Sequence, residues 1–229
     1  LSTNNSSVFK VYLFRTSLLM TKKKKLILEA ARVLFNEKGY HQVTIRMIAL
    51  KLGMSSGNLN YHYKKREDIF EALYFEMVSE FDERVSNLAE TKISLGQIRN
   101  DIDRSMRRMV DYNFFWTDLY NLLNVSDKVK KHFQEVYRNR INGCFLLFTK
   151  MINEDLMREP SFKLEHSLLA ERMVNHGNTW LYSTRLYIEN FNTEEGINYQ
   201  VDLLLSMFFP FLTSIGEEEF KKVLPSLFD

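Results

Sequence analysis

Glycine and proline are scarce in this chain, with eight and three copies in 229 residues. A sheet protein of that length needs many tight turns, and tight turns draw on those two residues. Helix formers are plentiful, and no apolar–polar alternation flanked by turn dipeptides competes with them. An all-α fold is therefore expected, with 45% apolar and 26% charged residues typical of a globular protein. Ile27, Ala30, Ala31, Leu34 and Phe35 recur at helical spacing, so a first helix is expected over about 22–37, stopped by Gly39. Further helices are expected at 45–52, from Ser55 or Ser56 to Tyr63, and from Glu67 past Phe81. Beyond these come segments near 95–112, 114–123, 127–156, 164–188, 195–214 and 217–224, with breaks at 124–126, Pro160, 190–193 and Gly216.

The stretch Ile45–Leu59 carries a spacing of its own. Two helices that cross closely need a small residue at the crossing, and Ala49 supplies one. Four residues later the chain must turn tightly, where Gly53 can adopt positive φ. Ile48, Leu52, Met54 and Leu59 are then spaced to fill the small core between the helices. The spacing is that of a helix-turn-helix, although Ala, Gly and Leu at these offsets also occur by chance in helical proteins; Thr44 is the expected N-cap of its first helix.

Charge is divided along the chain. Residues 20–66 hold eleven basic and two acidic side chains, a net of +9, whereas residues 67–229 hold eighteen and twenty-seven, a net of −9. A basic module attached to an acidic body is expected when one end meets phosphates.

The run from about Lys24 to Ala72 resembles the N-terminal DNA-binding domain of the TetR family of regulators. The resemblance rests on Ile27–Phe35, Gly39-Tyr40, Thr44–Ala49, Leu52–Lys64 and Lys65–Ile69. Asn60 departs from the tyrosine frequent in the family, and Arg66 stands where lysine is common. Met20, followed by Thr21 and four lysines, reads as a natural start, so residues 1–19 are expected to be a disordered extension. The resemblance implies a helix-turn-helix domain over 20–66 and a helical ligand-sensing and dimerisation domain over 67–229. It implies that Ser55, Ser56, Gly57 and Asn58 enter the major groove, where Ser56 and Asn58 can meet base edges. Arg46 is suited to a bidentate contact with guanine or phosphate, and Thr44, Asn60, Tyr61, His62, Lys64 and Arg66 to phosphate oxygens. For Thr44 a purely capping role stays open, as does a core role for Tyr63.

The resemblance also implies a ligand-responsive repressor that binds a pseudo-palindromic operator in double-stranded DNA as a homodimer. Weaker similarity continues through Tyr112–Leu119, Lys131–Phe133 and Arg138–Arg140. Tyr112, Phe115, Trp116, Tyr120, Phe148 and Trp180 are the candidates for lining a small-molecule effector site, although aromatics at helical spacing ordinarily pack. The long segments 164–188 and 195–214 are the expected dimer faces. A constitutive DNA-binding regulator without effector is the competing reading, and an all-helical enzyme a remote one. Against the enzyme, no Glu-x-x-His pair, phosphate loop, zinc spacing or nucleophile elbow is present, so no catalytic residue, metal or cofactor is expected. The single cysteine, Cys144, sits in an apolar run and is expected to behave as a small hydrophobe in a cytoplasmic protein.

Overall fold

The computed structural model describes residues 22–87, 93–189 and 193–228, so the expectation for residues 1–19 falls outside it. Among the described residues every regular element is helical, apart from one isolated bridge between Met157 and Leu212. No described helix is long and apolar enough to cross a membrane. The chain divides into two compact units at Glu80/Phe81.

The first unit contains α1 (Lys22–Lys38), a 3-10 turn (Tyr40–Gln42), α2 (Ile45–Lys51), α3 (Ser56–His62) and the start of α4 (Arg66–Asn87). Its core joins Ile27 and Phe35 of α1, Ile48 of α2, Leu59 of α3 and Ile69 and Leu73 of α4, all fully buried. Gly39 and Gly53 take φ of 77° and 64°, the left-handed region in which a side chain would be strained. Arg66 joins the 3-10 turn to the first turn of α4. Its Nη1 donates to the carbonyls of Tyr40, His41 and Val43 at 3.1, 3.2 and 2.9 Å, and its guanidinium lies 4.2 Å from the centre of the Tyr40 ring. Tyr40 donates its hydroxyl proton to Glu67 at 3.3 Å. Burial pushes the Tyr40 phenol up to about 12, against the opposing pull of Arg66.

The second unit contains α5 (Leu95–Asp111), α6 (Asn113–Thr117), α7 (Leu119–Leu122), α8 (Asp127–Asn153), α9 (Glu165–Tyr187), α10 (Glu194–Ser206) and α11 (Ser214–Val223), with 3-10 turns at Phe209–Phe211 and Pro225–Leu227. Helix α9 packs on α8 and α6, and α10 packs on α5. Trp180 is fully buried and donates its indole N–H to Met109 Sδ at 3.2 Å.

Several boundaries differ from the sequence expectation. The segment expected as one helix over 114–123 is two short helices separated by Asp118. The helix expected to reach residue 214 stops at Ser206, because Pro210 has no N–H with which to continue the ladder. Gly216 is not a break. It sits in the first turn of α11, capped by the Thr213 side chain, where any Cβ would run into the Leu156 carbonyl oxygen. Helix α8 ends at Asn153, and the chain turns through Asp155 at φ 56°.

Arg158 holds the loop that follows. It makes a two-pronged pair with Glu165 at 2.8 and 2.9 Å, while Ser161 N donates to the same carboxylate at 2.6 Å. These bonds hold the Glu165 carboxyl down at about 2. Its folded value lies below its unfolded one, so the stabilisation is complete above the ordinary carboxylate range and is lost as pH falls towards 2.

Two expected outcomes follow from these clamps. Replacing Glu165 by Gln should lower the denaturation midpoint near neutral pH and flatten its decline between about pH 4.5 and 2, read from denaturant titrations across that range. Replacing Arg66 by Met should destabilise the first unit by about 2–3 kcal/mol, because carbonyl oxygens lose a charged donor. Arg66→Lys should recover only part of this loss, since one ammonium cannot reproduce the planar fork; thermal unfolding of the three proteins checks it.

Candidate nucleic-acid interface

The two helices of the motif are set by their backbone. Ala49, 1% exposed, lies at the contact between α2 and α3. Its carbonyl accepts from both Leu52 N and Met54 N, which folds the chain back through Gly53. Ile48 and Leu59 are fully buried as the spacing requires, whereas Leu52 and Met54 are half-buried. Thr44 and Ser55 each cap a helix. Thr44 Oγ1 accepts from Met47 N at 3.3 Å, and Ser55 Oγ accepts from Asn58 N at 3.2 Å. Both hydroxyls therefore fix where a helix starts, and both stay exposed.

These starts leave a row of polar groups on the outside. Arg46, Gly57, Asn58, Asn60 and Lys64 are exposed, Tyr61 is 80% exposed, and Ser56 and His62 are half-buried. The Tyr61 and His62 rings meet edge to face, 5.3 Å between centres. Tyr63, by contrast, is 8% exposed, and burial pushes its phenol up to about 12. Arg66 also departs from the row: its guanidinium serves the Tyr40, His41 and Val43 carbonyls, and its side chain is three-quarters buried.

One feature of this surface is absent from the sequence-derived set of contacts. Lys24 Nζ lies 5.8 Å from the centre of the Tyr63 ring, which brings the lysine run at the start of α1 beside the C-cap of α3. Lys22, Lys23 and Lys25 are exposed there. The run is plain in the sequence, but its neighbour is forty residues away and only folding joins them.

In the second unit, Tyr112, Phe115, Trp116, Phe148 and Trp180 are each at most 2% exposed and belong to the aromatic core. Tyr120 is 83% exposed and stands away from them. Sequence reasoning did not single out Arg140 and Asn178, which the fold brings together. Arg140 Nη1 donates to Asn178 Oδ1 at 2.5 Å, and its guanidinium lies 5.9 Å from the centre of the Trp116 ring. Burial pushes the Cys144 thiol, one turn along α8 from Arg140, up to about 11.

The chain matches two families of known sequence. Residues 27–73 match bacterial regulatory proteins of the tetR family, and residues 76–220 match a bacterial transcriptional repressor family, TetR. The HTH-type transcriptional repressor AcnR of Corynebacterium efficiens is 29% identical over 115 residues, covering 45% of this chain and 61% of AcnR. The alignment thus spans less than two thirds of that relative. Among solved structures, a TetR-family transcriptional regulator from Marinobacter aquaeolei superposes with a TM-score of 0.79 at 21% identity, covering 90% of this chain and 97% of that one. A regulator from Saccharomonospora viridis, solved in complex with choline, gives 0.63 at 18% identity, with 85% and 100% covered. With the helix-turn-helix in place and family matches over both units, this chain belongs to the TetR family of bacterial transcriptional regulators.

Proposed function

We propose that this protein is a transcriptional repressor that binds a pseudo-palindromic operator as a homodimer and is released from it by a small-molecule effector. The observation that carries the reading is the exposed row of Arg46, Asn58, Asn60, Tyr61 and Lys64 across a helix-turn-helix whose apolar residues are already buried. Asn58 and Ser56 meet base edges in the major groove, and Gly57 lets the backbone approach. Arg46 makes a bidentate contact with a guanine or a phosphate. Asn60, Tyr61, His62 and Lys64 position the head on the phosphates, and the Lys22–Lys25 run adds cations beside them. Thr44 and Ser55 contribute mainly by fixing the helix starts, and Arg66 by holding the 3-10 turn.

The homodimer is supported by an apolar stripe on α9. Leu168, Tyr182 and Leu186 are each about half exposed at helix-face spacing, and Tyr199 and Leu203 of α10 are exposed as well. A second copy burying these faces sets two heads on half-sites about 34–36 Å apart, one helical turn of DNA. The choline complex of a protein of similar fold supports an effector site, which we place in the second unit. Effector binding shifts the population towards a shape whose heads no longer match the half-sites, and operator affinity falls. The protein acts where the DNA is, in the cytoplasm.

Operator fragments selected from random duplex DNA provide the test. Arg46→Ala should cost about 1–3 kcal/mol in a manner that depends on one base position, measured by competition against single-base operator variants. Lys64→Ala should weaken all sequences alike and reduce the salt slope of binding by about 1. If neither variant changes affinity, the DNA lies on another face. Leu186→Asp should convert the dimer to monomer in sedimentation experiments, while leaving the helical circular dichroism unchanged.

A further inference from the structure

Two glycines in the middle of long helices of the second unit each face open space. Gly177 lies on the inward side of α9, among the buried residues Met173, Val174, Asn178, Trp180 and Leu181. Gly143 lies on α8, the helix that packs on α9. Glycine within a helix is unfavourable relative to alanine, and it is normally kept where a neighbour comes too close for a side chain. No neighbour does so here: a Cβ built on either residue meets no atom within 4 Å. Gly216 shows the opposite case, where Leu156 leaves no room. Gly177 also remains half-buried although the side chains around it are buried. Helix propensity would favour a larger residue at these positions, and the open space beside them gives room for a ligand.

Polar chemistry converges on the same place. Asn178, 8% exposed, follows Gly177 directly and accepts from Arg140, which stands one turn before Gly143. The Arg140 guanidinium lies 5.9 Å from the centre of the Trp116 ring. Trp116 is 2% exposed, and its indole N–H is buried without an acceptor among the described residues. Leaving such a donor unmet costs free energy that an acceptor from a ligand would recover. Aromatic rings stand beside it, with the Phe133 ring 6.3 Å from Trp116 and 6.2 Å from Phe115. A fixed cation, a neutral N–H donor and aromatic walls suit an oxyanion carried on an apolar body.

We propose that the effector binds between α8 and α9 beside Gly143 and Gly177, and that it carries a carboxylate accepting hydrogen bonds from Trp116 Nε1 and Arg140. The inference rests on the reading of the protein as effector-responsive and adds the site and the chemical class of the effector.

The test uses the full chain and two matched pairs of probes, octanoate with octanamide and benzoate with benzamide. Affinity is read by tryptophan fluorescence and thermal shift at neutral pH. At least one acid should raise the melting temperature, and its amide should bind about tenfold more weakly or worse. Trp116→Phe keeps the ring but loses the N–H, and should weaken the acid by about tenfold; Arg140→Gln should do at least as much. Gly177→Leu fills the opening and should abolish binding while melting no lower than the parent protein, which separates occlusion from misfolding. The proposal is overturned if neither acid binds, if the amides bind as well as the acids, or if Gly177→Leu binds the acid unchanged. Operator release is measured separately. An acid that binds this site without releasing DNA leaves the site standing and removes the effector-controlled repressor reading.

Discussion

Loop carbonyls beside a helix start need donors, and in each unit a guanidinium supplies them. In the first unit Arg66 gathers the carbonyls of Tyr40, His41 and Val43, the last of them next to the Thr44 cap of α2. The position of the helix-turn-helix relative to α4 depends on that junction. In the second unit Arg158 donates to the Glu159 carbonyl and pairs with Glu165 at the start of α9, while its guanidinium lies 5.3 Å from the centre of the Phe211 ring. One planar group with five donors can bind several carbonyls of a loop and stack on an aromatic ring at once, a geometry that an ammonium with three donors does not reproduce.

Arg66 has a structural part that its motif position does not announce. In the sequence it is one more cation in a basic stretch, next to Lys64 and Lys65, and a phosphate contact is the natural expectation. In the fold its side chain reaches back to residues more than twenty positions earlier. The cationic surface is carried instead by Arg46, Lys64 and the lysines at the start of α1. Those lysines lie at the positive end of a helix dipole with no acidic residue in the first turn, an arrangement that phosphates relieve.

The second unit was far less legible than the first. Of six aromatics singled out from the sequence, five form core and Tyr120 projects into solvent, because an aromatic stripe at helical spacing reads the same whether it packs or lines a cavity. The more telling signals were weak ones. Gly143, Gly177 and Asn178 carry no motif, and Arg140 gains a part only where α8 and α9 lie side by side.

The sequence by itself determined the helical class, the capping residues, the turn at Gly53 and the charge carried by the head. These are local matters: backbone conformation, hydrogen bonds a few residues apart, and the 3.6-residue period of apolar side chains. Tertiary structure decided which cations face outward, where Pro210 and Gly216 end or permit a helix, and how Trp116, Arg140 and Asn178 meet. Those outcomes depend on contacts between residues tens of positions apart, where packing and unmet hydrogen-bond donors outweigh local preference.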